Sequence, residues 1–290
     1  MAILLHTLML NVKLLGKDIH EGLINHRVNI ILARRNCMLR TTHRNPYKWL
    51  NVIGFVLVIV MNALANLLPI GGRTTSEVSA LYPVLITPAG YAFAIWSVIY
   101  AFLAGFIILQ FLPSQKQRNT AAVLKFWFFI SCLANAGWIV LWQNLWFGWS
   151  VLVIFILLFS LSQMYVRVLA LQKPTTGEKW FVQLPFRIYL GWVSVATIIN
   201  VTVWLSKREW DGFGLGDETW AILLLIIGAI VALAVSFSYR DAVLPLVFVW
   251  AYIAISVKQS DITAVAYTAA GIAALLLIYS IWLFFSKRRQ

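Results

Sequence analysis

Long hydrophobic runs, separated by short polar breaks, occupy most of the chain after residue 48. Most runs reach the roughly 17–25 residues that a helix needs to cross a bilayer. None alternates with the period of two that a membrane β-barrel strand requires, so helices must satisfy the backbone. The pattern predicts eight membrane spans, of which the seventh is short and contains Pro245. The predicted bounds are 49–68, 90–112, 121–142, 148–170, 181–205, 220–239, 242–257 and 263–285.

Composition excludes a water-soluble globular protein. Of the 290 residues, 61% are hydrophobic and 11% are charged, whereas soluble domains have about 45–50% and about 25%. An aromatic content of 14% also excludes a disordered chain. Two cysteines are too few for a disulfide framework. The predicted fold class is therefore an all-α integral membrane protein, and its first partner is the lipid bilayer.

The net charge of +13 is explained by membrane topology. The basic residues are scattered between the spans and form no folded basic face, so nucleic acid is not a predicted partner. With the N-terminus inside, the inner segments carry 18 basic residues and the outer segments carry 4. This bias predicts a multi-pass protein of the cell membrane whose N- and C-termini are both cytoplasmic.

Residues 1–48 form a basic N-terminal segment ahead of the first span. Residues 1–37 lack the basic start and the small-residue cleavage site of a secretory signal. If Met38 is the natural start, then Arg40, Arg44 and Lys48 directly flank the first span. We therefore expect residues 1–37 to be a mis-called extension.

The sequence lacks the motifs and residues that several kinds of function require. It has no P-loop, which argues against an ATP-driven pump. The spans contain no His, so proton relays, haem ligation and a Ser/His/Asp triad are not expected within them. We predict no catalytic residue, no metal site and no cofactor.

Aromatic and amide side chains recur at helical spacing within the spans. In the second span, Trp96 and Tyr100 are four residues apart and share one helix face. In the fifth span, Trp192, Ala196 and Asn200 form a stripe in which the small Ala196 leaves room beside the helix. Such a groove could hold a flat apolar ligand against aromatic rings, with amides as polar contacts.

Packing is the competing interpretation of the same residues. Trp and Tyr collect at membrane interfaces because their rings are amphipathic, and Trp149 lies beside the hairpin between the third and fourth spans. Buried Asn residues commonly form hydrogen bonds between helices. Both interpretations stay open at this point.

These motifs resemble the TspO/translocator-protein family, the tryptophan-rich sensory proteins, over residues 49–206. Its second-span signature is a Pro followed by Trp and Tyr four residues apart, and its third-span signature is an Asn three residues before a Trp. Its fifth-span signature has the spacing of Tyr189, Trp192, Ala196 and Asn200, although Ile199 replaces a Leu. The matching residues in the earlier spans are Pro88, Trp96, Tyr100, Asn135, Trp138, Gly148 and Trp149.

The resemblance implies a five-helix domain at 49–206, which leaves about three additional helices at 207–290 outside it. It also implies a pocket for flat hydrophobic molecules such as porphyrins or sterols, covered by the loop 69–87. Arg73 in this loop could pair with porphyrin propionates, or it could be an ordinary solvated residue. The residues that would line the pocket are Trp96, Trp138, Trp149, Trp192, Ala196, Ile199 and Asn200.

The resemblance implies a leading function, and the sequence as a whole leaves alternatives open. The leading one is a receptor or sensor-like membrane protein that binds a tetrapyrrole or sterol-like molecule. The alternatives are a small-solute transporter, a light-dependent porphyrin-degrading enzyme, and a structural membrane component. Small residues at Ala101 and Gly105 would allow close helix contact and hence a homodimer.

Overall fold

The computed structural model describes residues 45–286 except Pro69 and Pro83. The basic N-terminal segment up to Arg44, including the start expected at Met38, lies outside the described residues. Within the described part, eight apolar helices of 15 to 24 residues are present and no strand occurs, which confirms the all-α prediction. The helices are α1 Lys48–Leu67, α2 Ile95–Leu109, α3 Trp127–Gln143, α4 Phe147–Leu169, α5 Leu184–Lys207, α6 Asp217–Tyr239, α7 Leu244–Lys258 and α8 Thr263–Ser286.

Six of the apolar segments in this described part are long enough to cross a membrane, and α3 and α7 are shorter. At 17 and 15 residues, these two helices are about 25 and about 22 Å long, less than the roughly 30 Å of a bilayer core. Each is enclosed by neighbours: α3 packs between α1 and α4, and α7 packs between α5 and α8. The two short helices therefore expose less of their surface to lipid.

Helix α5 has neighbours in both parts of the bundle, because it packs on α4 and α2 and also on α7. Its Gly191 allows the close crossing with α7. A Cβ atom at Gly191 would lie 2.9 Å from the Cβ atom of Val247, which is too close for any other residue without a shift of the backbone. Helices α6 and α8 complete the C-terminal part around α7.

A buried carboxylate ties the turn between α6 and α7 to the rest of the bundle. Asp241 is 1% exposed. Its Oδ2 accepts a hydrogen bond of 2.8 Å from the Tyr165 hydroxyl of α4, and the Nε of Arg187 on α5 lies 3.7 Å from the same oxygen. The Oδ1 atom accepts from the backbone N–H of Val243 at 2.9 Å. One carboxylate thus joins α4, α5 and the turn before α7.

A second buried carboxylate, Glu178, joins the connection between α2 and α3 to the short segment that leads into α5. Arg118 donates to its two oxygens at 2.8 and 2.9 Å, and Gln115 donates at 3.1 Å. The Thr120 hydroxyl also donates to this carboxylate. Since Glu178 is fully buried, these bonds hold the loop segments in one arrangement.

Candidate functional site

Trp96 lies at the centre of an aromatic cluster formed by α2, α3 and α5. Its indole stacks on the Tyr100 ring with a centroid distance of 5.6 Å. The indoles of Trp138 and Trp192 each lie 6.3 Å from it, the latter at nearly a right angle. Stacked and edge-to-face contacts of this kind are the favoured geometries of aromatic pairs. The cluster therefore fixes the orientation of the central indole.

Asn135 connects this cluster through hydrogen bonds that cross four helices. Its Nδ2 donates to the Tyr189 hydroxyl at 2.7 Å and to the Tyr100 hydroxyl at 3.4 Å. Its Oδ1 accepts from the Nδ2 of Asn62 on α1 at 3.1 Å. Because Asn135 is completely buried, every bond it makes holds one helix against another.

Asn200 has a comparable role on α5. Its Oδ1 accepts a hydrogen bond of 2.9 Å from the Nε1 of Trp138, and its Nδ2 donates to the Ser150 hydroxyl at 2.9 Å. These bonds fix the Trp138 indole against α5. Trp192 differs, because among the described residues its buried Nε1 has no hydrogen-bond partner.

A cavity of about 550 Å³ opens beside the cluster, and we call it the aromatic cavity. This volume is within the range of about 300–1,000 Å³ that small-molecule sites occupy. Among the described residues, all of its lining side chains are uncharged. The lining residues are Ile59, Asn62, Ala63, Asn66, Thr75, Ser76, Gly90, Phe93, Ala94, Trp96, Ser97, Tyr100 and Trp138.

The loop between α1 and α2 contributes a short helix, Thr75–Ala80, to the wall of this cavity. Thr74 and Glu77 form a capping box at its start, and the hydrogen bonds from Thr74 hold the pKa of the Glu77 carboxyl below its usual value. The Nε1 of Trp142 donates to the Thr75 carbonyl at 3.1 Å. The loop helix is therefore anchored both by its own cap and by α3.

The candidate residues from the sequence occupy different places in this structure. Trp96 and Trp138 line the aromatic cavity, and Trp192 packs behind Trp96. Ala196 is partly buried against the core. Ile199 faces away from the cavity, toward Leu224 of α6 and Tyr252 of α7.

Two further candidates also lie outside the aromatic cavity. Trp149 is 63% exposed at the start of α4, a position typical of the membrane interface. Arg73 is exposed and, among the described residues, is not part of the cavity lining. The polar lining residues Asn66 and Ser97 were not among the candidates, whereas Thr75 and Ser76 belong to the loop 69–87 that was expected to cover the pocket.

A second cavity, of about 540 Å³, lies between α4, α5, α6 and the loop that precedes α6. We call it the lateral groove. It shares no lining residue with the aromatic cavity. The sequence did not predict it, because its walls depend on how α4 and α6 pack across α5 and on Val84, Leu85 and Ile86, which precede α2. In the described residues, no group of three His, Cys, Asp or Glu side chains could hold a metal ion.

The family model of the TSPO-like proteins matches residues 48–282, a range that begins at α1 and ends within α8. Comparison with curated proteins and with solved structures gives no match. The matched range covers most of the chain and the candidate motifs of the aromatic cluster. The chain therefore belongs to the TSPO-like family of membrane proteins.

Proposed function

We propose that this membrane protein is a receptor for a flat hydrophobic molecule, such as a tetrapyrrole, which it binds in the aromatic cavity. The observation that carries the proposal is the placement of Trp96 and Trp138 on the wall of a cavity of about 550 Å³. Indole faces stack on planar conjugated rings, and such contacts contribute about 0.5–1.5 kcal/mol beyond the buried area.

The fixed orientation of the two indoles supports this proposal. Asn200 holds the Trp138 indole through its N–H group, and Tyr100 stacks on Trp96. A wall that is already ordered loses little conformational entropy when a ligand binds. The aromatic cavity is therefore suited to a rigid ligand that fits without rearrangement of the side chains.

The polar groups of the cavity favour a ligand whose buried portion is neutral. Among the described residues, its lining offers amides and hydroxyls, such as Asn62, Asn66 and Ser97, and no charged side chain. Burial of an unpaired carboxylate there would be costly. We therefore expect the propionates of a porphyrin to remain at the cavity mouth. Arg73, two residues before the lining Thr75, is the basic side chain closest in sequence to this lining.

Binding in lipid nanodiscs tests this proposal. Protoporphyrin IX and its uncharged dimethyl ester would be titrated in the dark against wild type, Trp96→Ala and Trp138→Ala. Each substitution should weaken binding of both compounds about tenfold, because a stacking surface is lost. Trp282→Phe is the matched control, since Trp282 is 62% exposed on α8 and does not line the cavity.

Two results would contradict the proposal. One is binding that does not saturate beyond the uptake of empty nanodiscs. The other is equal affinity of wild type and both Trp variants, provided that the variants retain the helical content of wild type. Illumination of the same samples without an added cofactor separates simple binding from porphyrin breakdown.

A further inference from the structure

The lateral groove runs along α5 between α4 and α6. On α5 its lining extends from Ser194 to Ser206, a distance of about 18 Å along the helix axis. Leu158 of α4 and Leu224 of α6 contribute to the opposite walls. The groove is thus elongated in the direction of the membrane-spanning helices.

The interior of the groove is effectively apolar although several hydroxyl residues line it. Ser194, Thr197 and Thr202 each donate their hydroxyl to the backbone carbonyl four residues earlier, at 2.8, 2.7 and 2.9 Å. A hydroxyl that donates to a backbone carbonyl of its own helix in this way is not available as a donor to a ligand. A bound molecule would therefore meet mainly hydrocarbon along most of the groove.

One end of the groove is aromatic and acidic. Trp210 and Trp220 lie with ring centroids 5.1 Å apart, and both line the groove together with Asp211 and Asp217. Asp211 accepts a hydrogen bond from the backbone N–H of Phe213, whereas among the described residues the Asp217 carboxylate has no hydrogen bond or ion pair. The charged residues of the described lining are both acidic.

The groove also opens sideways on the apolar surface of the bundle. Three lining residues at its edges, Phe155, Ile227 and Val231, are 49%, 47% and 40% exposed. They lie on the membrane-spanning helices α4 and α6. A molecule dissolved in the bilayer can therefore reach the groove laterally, without passing through the aqueous loops.

We propose that the lateral groove binds a single-chain cationic amphiphile that enters from the bilayer. The apolar chain lies along α5, and the positively charged nitrogen lies at the end formed by Trp210, Trp220 and the two aspartates. Aromatic rings attract alkylammonium groups, especially where water is partly excluded. The acidic lining adds charge complementarity, and it disfavours anionic head groups.

Binding of three amphiphiles with the same dodecyl chain tests this proposal. Dodecyltrimethylammonium, dodecanol and dodecyl sulfate would be measured by equilibrium dialysis against protein-containing nanodiscs, with uptake by empty nanodiscs subtracted. We expect the cationic compound to bind saturably and about tenfold more tightly than dodecanol, as cation–π and ionic attraction of this size predict. Dodecyl sulfate should bind more weakly than dodecanol.

Asp217→Asn should reduce the preference for the cationic compound from about tenfold to about threefold or less. Glu218→Gln is the matched control, because it removes the next acidic side chain, which is exposed and not part of the lining, and it should leave the preference unchanged.

Equal preference in wild type and Asp217→Asn would overturn the proposal, and so would tighter binding of the sulfate or binding that does not saturate. Retained binding of protoporphyrin IX dimethyl ester shows that a variant is folded. If wild type does not bind the ester, helical content and thermal midpoint serve as this check, so the two proposals fail separately.

Discussion

The two cavities have almost the same volume, but the polar side chains around them form different kinds of hydrogen bond. Around the aromatic cavity, Asn62, Asn135 and Asn200 form hydrogen bonds between different helices. In the lateral groove, hydroxyls such as those of Thr197 and Thr202 bond to their own helix. The first cavity is therefore shaped by bonds between helices, whereas the second is shaped by packing and has its charge at one end.

The parts of the bundle that contain these cavities are also fastened differently. Neutral amides and tyrosines join α1, α2, α3 and α5 around Asn135. The turn after α6 is fastened by the buried carboxylate of Asp241, which faces Tyr165 and Arg187. Removal of one member of a buried charged pair lowers the free energy of unfolding more than removal of a neutral amide does, because the remaining charge is left buried without a partner.

The largest effect is expected from Asp241→Leu, which would leave Arg187 and the Tyr165 hydroxyl without their shared acceptor. Removal of one member of a buried ion pair costs about 3 kcal/mol. We expect a clear fall in the thermal midpoint in nanodiscs, accompanied by loss of amphiphile binding. Asp261→Asn, in the exposed turn before α8, is the control. An unchanged midpoint for Asp241→Leu would show that this carboxylate does not fasten the C-terminal helices.

A smaller loss of stability is expected from Asn135→Leu. The substitution removes three hydrogen bonds between helices, each worth about 0.6 kcal/mol in a membrane protein, so the total is about 2 kcal/mol. Porphyrin binding should weaken while amphiphile binding persists. Asn144→Ala serves for comparison, because the Asn144 amide bonds to Val140 of its own helix. Equal effects on both ligands would contradict the separation of the two regions.

Filling the lateral groove should affect one ligand only. Thr202→Phe places a larger side chain on the α5 floor, and we expect dodecyltrimethylammonium binding to weaken about tenfold, or about 1.4 kcal/mol. The affinity for protoporphyrin IX dimethyl ester should not change. Thr263→Phe, at an exposed position at the start of α8, controls for added aromatic surface. Weaker binding of the ester would mean that the cavities are not independent.

The smallest effect is expected from ionic strength. An increase from about 0.05 to about 0.5 M salt should weaken dodecyltrimethylammonium binding roughly threefold, because ions screen the exposed Asp217. Binding of the uncharged dimethyl ester should remain constant, since the described lining of the aromatic cavity has no charged residue. The comparison requires dialysis at several salt concentrations with empty nanodiscs at each one. Parallel changes for both ligands would indicate an effect on the membrane itself.

The positions of the helices were predictable from the sequence because length and hydropathy decide where a chain can cross a bilayer. Local spacing also places Trp96 and Tyr100 on one face of α2, where their rings stack. Spacing cannot show which neighbour a face meets. Ile199 belongs to the same motif as Asn200, yet it faces Leu224 and Tyr252 because consecutive residues of a helix point in different directions.

Features that join distant parts of the chain could not be predicted from local patterns. The contact between Arg187 and Asp241 depends on how α5 packs against the turn after α6. The lateral groove likewise depends on the spacing of α4 and α6 across α5. Such arrangements follow from the packing of side chains between helices, which hydropathy does not encode.

Helix α5 presents one face to the aromatic cluster and another to the lateral groove. Trp192 and Asn200 point toward the aromatic cluster, while Ser194 and Val201 line the lateral groove. A rotation of this helix about its own axis would therefore change the aromatic cluster and the lateral groove at the same time. The independence expected for the two ligands therefore requires that neither of them rotates α5. If one ligand did, thermodynamic reciprocity would make the changes in the two affinities equal in factor.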